Sequence, residues 1–272
     1  MIKDITIGQY IPGDSPIHKM DARLKIIAVF VYILVLFMIK KPVSYLIVTV
    51  YTATVVMVSG IKVKHVLRGL RPMLWIFVFT AVLNLFLTKG TMLVSIPIFK
   101  FTLKITYEGL STAIIMALRL AFLMIGSSLL TLTTSPLQLT DGIEKLLKPL
   151  NRIKVPSHEI AMMMTIAIRF IPTLSEETEK IMKAQKARGA DFETGNLIAR
   201  AKAMIPILIP LFVSAFRRAD ELATAMEARC YRGGEGRTKM KESRITAQDI
   251  KLIIIFAVCM AILAAAEMVI EI

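Results

Sequence analysis

Residues that could do chemistry are few in this 272-residue sequence, and they stand far apart. Three histidines (His18, His65, His158) and two cysteines (Cys230, Cys259) do not fall at the spacings from which a zinc site is assembled. His158-Glu159 begins the H-E-x-x-H pattern that sets two imidazoles on one helix face, but Met162 occupies the second histidine position. No G-x-S-x-G nucleophile turn occurs. The stretch GGEGRTK at 233–239 holds glycines and a lysine at the wrong spacing for a phosphate-cradling loop. The sequence therefore predicts no catalytic group, no metal site and no means of holding ATP phosphates.

Charged residues in apolar surroundings need a different account. Arg119 interrupts a long apolar run, and an arginine facing lipid at mid-bilayer costs about 2.5–3.5 kcal/mol. It either lines a substrate or coupling path or pairs with a carbonyl or polar group such as Asn84. Arg169, just before Phe170-Ile171-Pro172, reads as a headgroup or intramolecular anchor. Met162, Met163 and Met164 suit flexible packing or an adaptable interface. Two short patterns repeat, Ala187-Arg188-Gly189 and Ala228-Arg229-Cys230. Each arginine can be a cation favoured at a helix C-terminus, worth about 0.3–1 kcal/mol. Alternatively, each presents a planar, always-charged donor set to a partner's carboxylates or carbonyls, with small neighbours permitting close approach.

These residues must be carried by helices, most of them apolar. Hydrophobic residues make up 56% of the chain and charged residues 20%, with a mean hydropathy of +0.66. The net charge of +14 fits cytoplasmic loops of a membrane protein better than nucleic-acid binding, given that hydrophobicity. Five apolar runs read as spans: 26–39, 42–61, 72–88, 109–134 and 252–270, the last containing Glu267. The alternation in IPIFKFTLKITYEGL predicts a small hairpin, then a helix capped by Thr106. No signal peptide is expected, because the polar N-terminus lacks an apolar core and cleavage site.

Residues 135–251 differ, holding 20 of the 34 Lys and Arg. Three helices are predicted there. The first starts at Ser135-Pro136 with Leu139, Ile143, Leu146, Leu147 and Leu150 on one face. The second runs from Ser157 to Arg188 with Gly189 as its stop. The third runs from Asn196 through Pro206 and Pro210, expected as kinks, to Arg232-Gly233-Gly234. Both long helices pass from apolar to charged, as expected of helices with one end against a membrane and the other in water. The expected fold is an all-α polytopic membrane protein. Its parts are an N-terminal membrane domain over 1–134, a cytoplasmic domain over 135–246, and a C-terminal span over 247–272. Lys and Arg bias places the N-terminus, the 62–71 loop and the 135–246 segment inside, and the C-terminus outside, although Lys40, Lys41, Lys89, Lys100 and Lys104 fall in outer loops.

Several stretches resemble the transmembrane scaffold, or T-component (EcfT), of energy-coupling factor transporters, which are ABC-type importers of vitamins and transition-metal ions. They are GQYIPGDSPIHKMDARLKI, TYEGLSTA, SPLQLTDGIEKLLKPL, MMMTIAIRFIPTLSEETEKIMKAQKARGADF and RRADELATAMEARCYRG. The resemblance implies that the two arginine motifs, Ala187-Arg188-Gly189 and Ala228-Arg229-Cys230, dock into two ABC ATPase subunits. ATP and magnesium would then be used by those subunits and not by this chain. It also implies a substrate-binding S-component held against an apolar surface including Leu139, Ile143, Met163 and Leu208. Cys230 departs from the glycine or other small residue common at its position. The competing readings are a self-sufficient secondary transporter or channel and a membrane-embedded enzyme. The first needs mid-span ionisable residues in paired halves, where only Arg119 and Glu267 qualify. The second lacks its acid–base and metal clusters.

Overall fold

A computed structural model describes residues 10–39, 41–98, 101–192, 194, 196–233 and 245–269. The N-terminal nine residues, Lys40, Lys100 and most of the GGEGRTK stretch lie outside the described residues. Among the described residues ten α-helices and one hairpin follow in order: α1 Pro16–Lys19, α2 Ala22–Met38, α3 Pro42–Ser59, α4 Val63–Leu70, α5 Leu74–Leu87, β1 Met92–Ile98, β2 Phe101–Thr106, α6 Tyr107–Thr133, α7 Pro136–Leu147, α8 Ser157–Ala187, α9 Leu197–Ala228 and α10 Ala247–Val269. The fold is that of an all-α polytopic membrane protein carrying one antiparallel hairpin. Among the described residues four segments are long and apolar enough to cross a membrane: Pro42–Ser59, Val63–Leu87, Tyr107–Thr133 and Ala247–Glu267. Helix α2, at 17 residues and without a charge after Lys25, supplies a fifth candidate of about 25 Å.

The helix ends follow local chemistry. Asp21 caps α2 by accepting from the Arg23 N–H at 2.9 Å. Thr106 caps α6 by accepting from Gly109 N–H at 3.1 Å, directly after the hairpin, as the sequence predicts. Pro42 opens α3, and Gly60 closes it at φ 71°, a left-handed conformation natural to glycine. Asp249 accepts from the Thr246 N–H at 2.7 Å at the start of α10.

The sequence reading needs correction at three places. Residues 62–71 are not a loop. Val63–Leu70 form α4, whose Val66 is buried in a cluster with Val56, Ile61, Leu129 and Leu132. Lys64 and Arg68 break the apolar run there and hide the amphipathic period. Helix α7 ends at Leu147, where a 3-10 turn over Lys148–Ile153 begins, so Leu150 leaves its face and is exposed. Helix α9 ends at Ala228, four residues before the expected stop at Arg232.

Contacts divide the chain into two compact units. The span unit takes in the described parts of Gly8–Gly142 and Ser243–Ile272, and the long-helix unit takes in those of Ile143–Glu242. The core of the span unit packs Tyr32 and Leu36 of α2, Val48 of α3, Phe122 of α6, and Met260 and Leu263 of α10. Each of its ends carries a polar tie. At one end, buried Lys25 donates to the His18 carbonyl (3.1 Å), the Thr133 carbonyl (2.9 Å) and the Thr134 hydroxyl (3.2 Å). At the other, Glu267 accepts from the Ser44 hydroxyl at 2.8 Å, and its backbone carbonyl accepts from Lys41 Nζ at 2.7 Å. With Asp249 also accepting from the Asp21 N–H at 3.4 Å, helix α10 is hydrogen-bonded to the rest of its unit near both ends.

Candidate functional site

Two helix tips in the long-helix unit have the same construction. Helix α8 ends at Ala187, and Arg188 is its C-cap at φ −86°, ψ 5°. Gly189 then turns left-handed at φ 86°. Its N–H donates to the Lys186 carbonyl at 3.0 Å, and Ala190 N–H reaches back to Gln185 at 3.0 Å. Helix α9 ends at Ala228, with Arg229 as C-cap at φ −94°, ψ 14°. Cys230 turns left-handed at φ 57°. Its N–H donates to the Glu227 carbonyl at 2.9 Å, and Tyr231 N–H reaches Met226 at 3.0 Å. Both tips are therefore Schellman caps, in which two backbone N–H groups satisfy carbonyls left over at the helix end. The repeated Ala-Arg-small pattern has this physical origin: helix former, last helical residue, then a residue that must adopt positive φ.

Cys230 takes that conformation at a cost that Gly189 avoids, since a side chain on a left-handed residue costs roughly 1–2 kcal/mol. The chain bends away immediately after each arginine. Ala187, Arg188, Gly189, Ala228, Arg229 and Cys230 are all exposed. Among the described residues, neither arginine's guanidinium has an ion pair or side-chain hydrogen bond. Each tip thus presents five unused N–H donors in a planar fork.

One contact ties the two tip-bearing helices together. Helix α8 packs on α9, and Arg218 Nη2 donates to Glu177 Oε2 at 3.0 Å across that contact. Each tip lies ten residues beyond its member of this pair (177 to 187, 218 to 228), so about 15 Å of helix separates the pair from either tip. After the first tip, Asp191 accepts from Thr194 N–H at 3.2 Å, closing the turn that leads towards Asn196, the N-cap of α9.

The apolar residues expected to form a second surface are placed less uniformly. Leu139 and Ile143 lie one turn apart on α7 and are half-buried. Met163 on α8 and Leu208 on α9 are exposed. Leu208 belongs to a longer stripe that the sequence reading left unnamed: Ile205, Leu208, Ile209, Phe212, Val213 and Phe216 are all 45–69% exposed. Their spacing of three and one is that of a single helix face. The signal lay in IPILIPLFVSAF, where Pro206 and Pro210 drew attention to kinks and away from periodicity; α9 runs continuously through both prolines.

Arg119 is held within the span unit. Its Nε donates to the Tyr45 hydroxyl at 3.1 Å and its Nη2 to the Ile39 carbonyl. Asn84, considered above as its partner, instead donates to the Thr80 carbonyl one turn back on α5. Arg169 is exposed on α8. His158 meets Glu144 of α7 at 3.1 Å, an ion pair whenever the imidazole is protonated. Among the described residues no three His, Cys, Asp or Glu side chains are grouped to hold a metal ion.

A family model described as cobalt transport protein (CbiQ) matches residues 13–240. A Clostridium kluyveri protein named energy-coupling factor transporter transmembrane protein EcfT is 58% identical over 267 residues, covering 97% of this chain and 98% of that protein. A Ruminiclostridium cellulolyticum protein of the same name is 61% identical over 250 residues, 92% of each chain. Its Bacillus subtilis namesake is 45% identical over 265 residues, 97% of this chain and 98% of that protein.

Proposed function

This chain belongs to the family of energy-coupling factor transporter transmembrane proteins, and from that membership we propose that it is the scaffold through which two cytoplasmic ABC ATPases drive a substrate-binding S-component. The observation that carries the proposal is the pair of like-built, exposed arginine caps on α8 and α9. A cap that served only its own helix would need no free guanidinium, whereas a docking tip needs one that no neighbour has taken. Each fork can make paired N–H···O bonds to carboxylate or carbonyl oxygens of an ATPase groove.

In this mechanism the chain moves force and does no bond chemistry. ATP with magnesium is bound and hydrolysed by the two partner subunits. Their closure displaces the tips, and the Glu177–Arg218 contact transmits each displacement to the other helix. The apolar halves of α8 and α9 shift with them. Within the long-helix unit, the stripe from Ile205 to Phe216, with Met163 and Ile143, offers the S-component an apolar surface to slide on, and Leu139 of the span unit is assigned a separate contact with it. Substrate is then released inward, a vitamin or transition-metal ion being the expected class. Such coupling requires contacts that differ in strength between two ATPase states. The N-terminus and the 135–246 segment are assigned to the cytoplasmic side of the cell membrane.

Reconstitution tests this reading. The chain is placed in liposomes alone, with ATPases, and with ATPases plus an S-component, and uptake is followed with and without ATP. ATP-dependent uptake only in the full set supports the scaffold. Uptake by the chain alone would instead make it a self-sufficient transporter or channel.

A further inference from the structure

The span unit contains an apolar crevice of about 420 Å³ walled by α2, α3, α6 and α10. Its lining on α3 runs from Ile47 to Val58, a length of about 16 Å at 1.5 Å per residue. That is about half of a 30 Å hydrocarbon layer, the depth of one leaflet. The direction is fixed by the helices. On α2 the lining begins at Lys25 and stops at Tyr32; on α6 it occupies the last two turns, Gly126 to Thr133; on α10 it begins at Leu252 and stops at Cys259. The crevice therefore occupies the half of the unit where α2 and α10 start, with Ile17 of α1 and Met20 also lining that end; it opens beside the exposed lining residues Val50, Val58 and Ile255 and finishes near mid-span.

Water is a poor occupant. Of the polar side chains that line it, Lys25, Tyr32, Thr52, Thr54 and Thr133 each have a hydrogen-bond partner within the protein, which leaves only the Tyr51 hydroxyl and the weakly hydrogen-bonding Cys259 thiol for a water to meet. A dry apolar space open to a bilayer is filled by what surrounds it, and here that is hydrocarbon.

The entrance adds a charge preference. Lys62 follows the lining residue Val58 by four positions, Lys64 lies just beyond it, and Lys251 directly precedes the lining residue Leu252. All three are exposed, and among the described residues none has a side-chain ion pair or hydrogen bond. The carboxylates at the same end are otherwise engaged: Asp21 holds Arg23 at 2.9 Å, and buried Asp249 accepts from backbone N–H groups of Thr246 and Asp21. Along the sequence no acidic residue occurs between Asp21 and Glu108. Uncompensated lysines at a membrane interface favour anionic headgroups.

We propose that the crevice between α2, α3, α6 and α10 is a binding site for one anionic phospholipid of the bilayer. One acyl chain lies along α3, and the phosphate-bearing headgroup meets Lys62, Lys64 and Lys251. The lipid fills the space that would otherwise leave Tyr51, Phe256 and Cys259 facing a void. The proposal rests on the multi-pass membrane location and is independent of the arginine caps.

The test uses the full chain in nanodiscs with phosphatidylglycerol carrying a mid-chain diazirine, and phosphatidylcholine with the same group as comparison. After photolysis in the intact nanodisc, labelled peptides are mapped by mass spectrometry, with exposed α5 reporting lipid that merely surrounds the protein. The expected result is label on α3 and α10 from phosphatidylglycerol, normalised to that on α5, about ten-fold above that from phosphatidylcholine. Ala28→Phe, which places a ring in the crevice, is expected to remove that label while α5 labelling persists. Cys259→Phe, a second plug on another helix, is read the same way provided the protein elutes as a single species. Lys62→Gln with Lys251→Gln is expected to erase the headgroup preference alone. Label on α3 and α10 that survives both plugs would overturn the site. Equal labelling by the two lipids in wild type would overturn the anionic assignment.

Discussion

Arg119 and the pair Arg188 and Arg229 are the same side chain in opposite circumstances. Arg119 sits half-buried among α3, α6 and the residue that ends α2, with the Tyr45 hydroxyl and Ile39 carbonyl as acceptors. Its hydrogen bonds hold three elements of the span unit together. Arg188 and Arg229 end their helices in the open, with no side-chain acceptor for them among the described residues. A membrane core punishes an unpaired cation, so the first arginine must be satisfied internally. Water does not, so the other two remain available. The difference separates a charge that builds the fold from charges presented outward.

Removing each kind should have different consequences. Arg119→Ala leaves the Ile39 carbonyl and Tyr45 hydroxyl without their donor, and a loss of about 2–3 kcal/mol is expected. Thermal unfolding in detergent should show it, while ATPase co-purification by the surviving folded protein stays intact. Loss of docking at unchanged stability would mean that Arg119 belongs to the outward-facing set after all. Asp249→Ala removes the α10 cap and is expected to cost about 1–2 kcal/mol, again without touching the tips. Faster hydrogen exchange in the first turn of α10 is the accompanying sign.

The two tips also differ from each other, in a way that substitutions can exchange. Gly189→Ala meets no neighbouring atom, so its expected cost of about 1–2 kcal/mol is purely that of a side chain at positive φ. Cys230→Gly should gain about 1 kcal/mol for the same reason, read as slower exchange of the Tyr231 amide. The smallest effect is expected at the contact between the tip-bearing helices. A double-mutant cycle on Glu177 and Arg218 should give a coupling of about 0.2–1 kcal/mol in stability, because the pair is partly exposed. Uptake should fall further than stability if that contact links the tips.

Much of this was legible from residue order alone. Thr106, Pro42, Pro136 and Asn196 announced helix starts because caps and proline act through backbone groups one to three residues away. Gly189 announced a stop for the same local reason. Cys230 announced none, since its left-handed turn is imposed by the helix end and not preferred by the residue. That is why the end of α9 was expected too late, at Arg232. Helix α4 was hidden because Lys62, Lys64, Arg68 and Arg71 made a cytoplasmic loop the obvious reading, although Val63, Val66 and Leu67 kept a helical period. Partners of charged residues were the least legible. The acceptors of Lys25 lie 7 and more than 100 positions away, and those of Arg119 lie 74 and 80 away. Distances of that kind follow from packing, which no local pattern encodes. The exposed stripe on α9 was legible in its three-and-one spacing, but Pro206 and Pro210 within it signal kinks in the sequence, and the continuous helix through both follows from packing that no local pattern encodes.

The most direct test of the central claim is co-purification of the two ATPase subunits with Arg188→Ala, Arg229→Ala and the double variant, each shown to be folded and membrane-inserted, alongside ATP-dependent uptake. The account predicts weakened complexes for the single variants, and loss of both complex and uptake for the double variant. Wild-type co-purification and uptake in the double variant would contradict it, reducing Arg188 and Arg229 to helix-end cations.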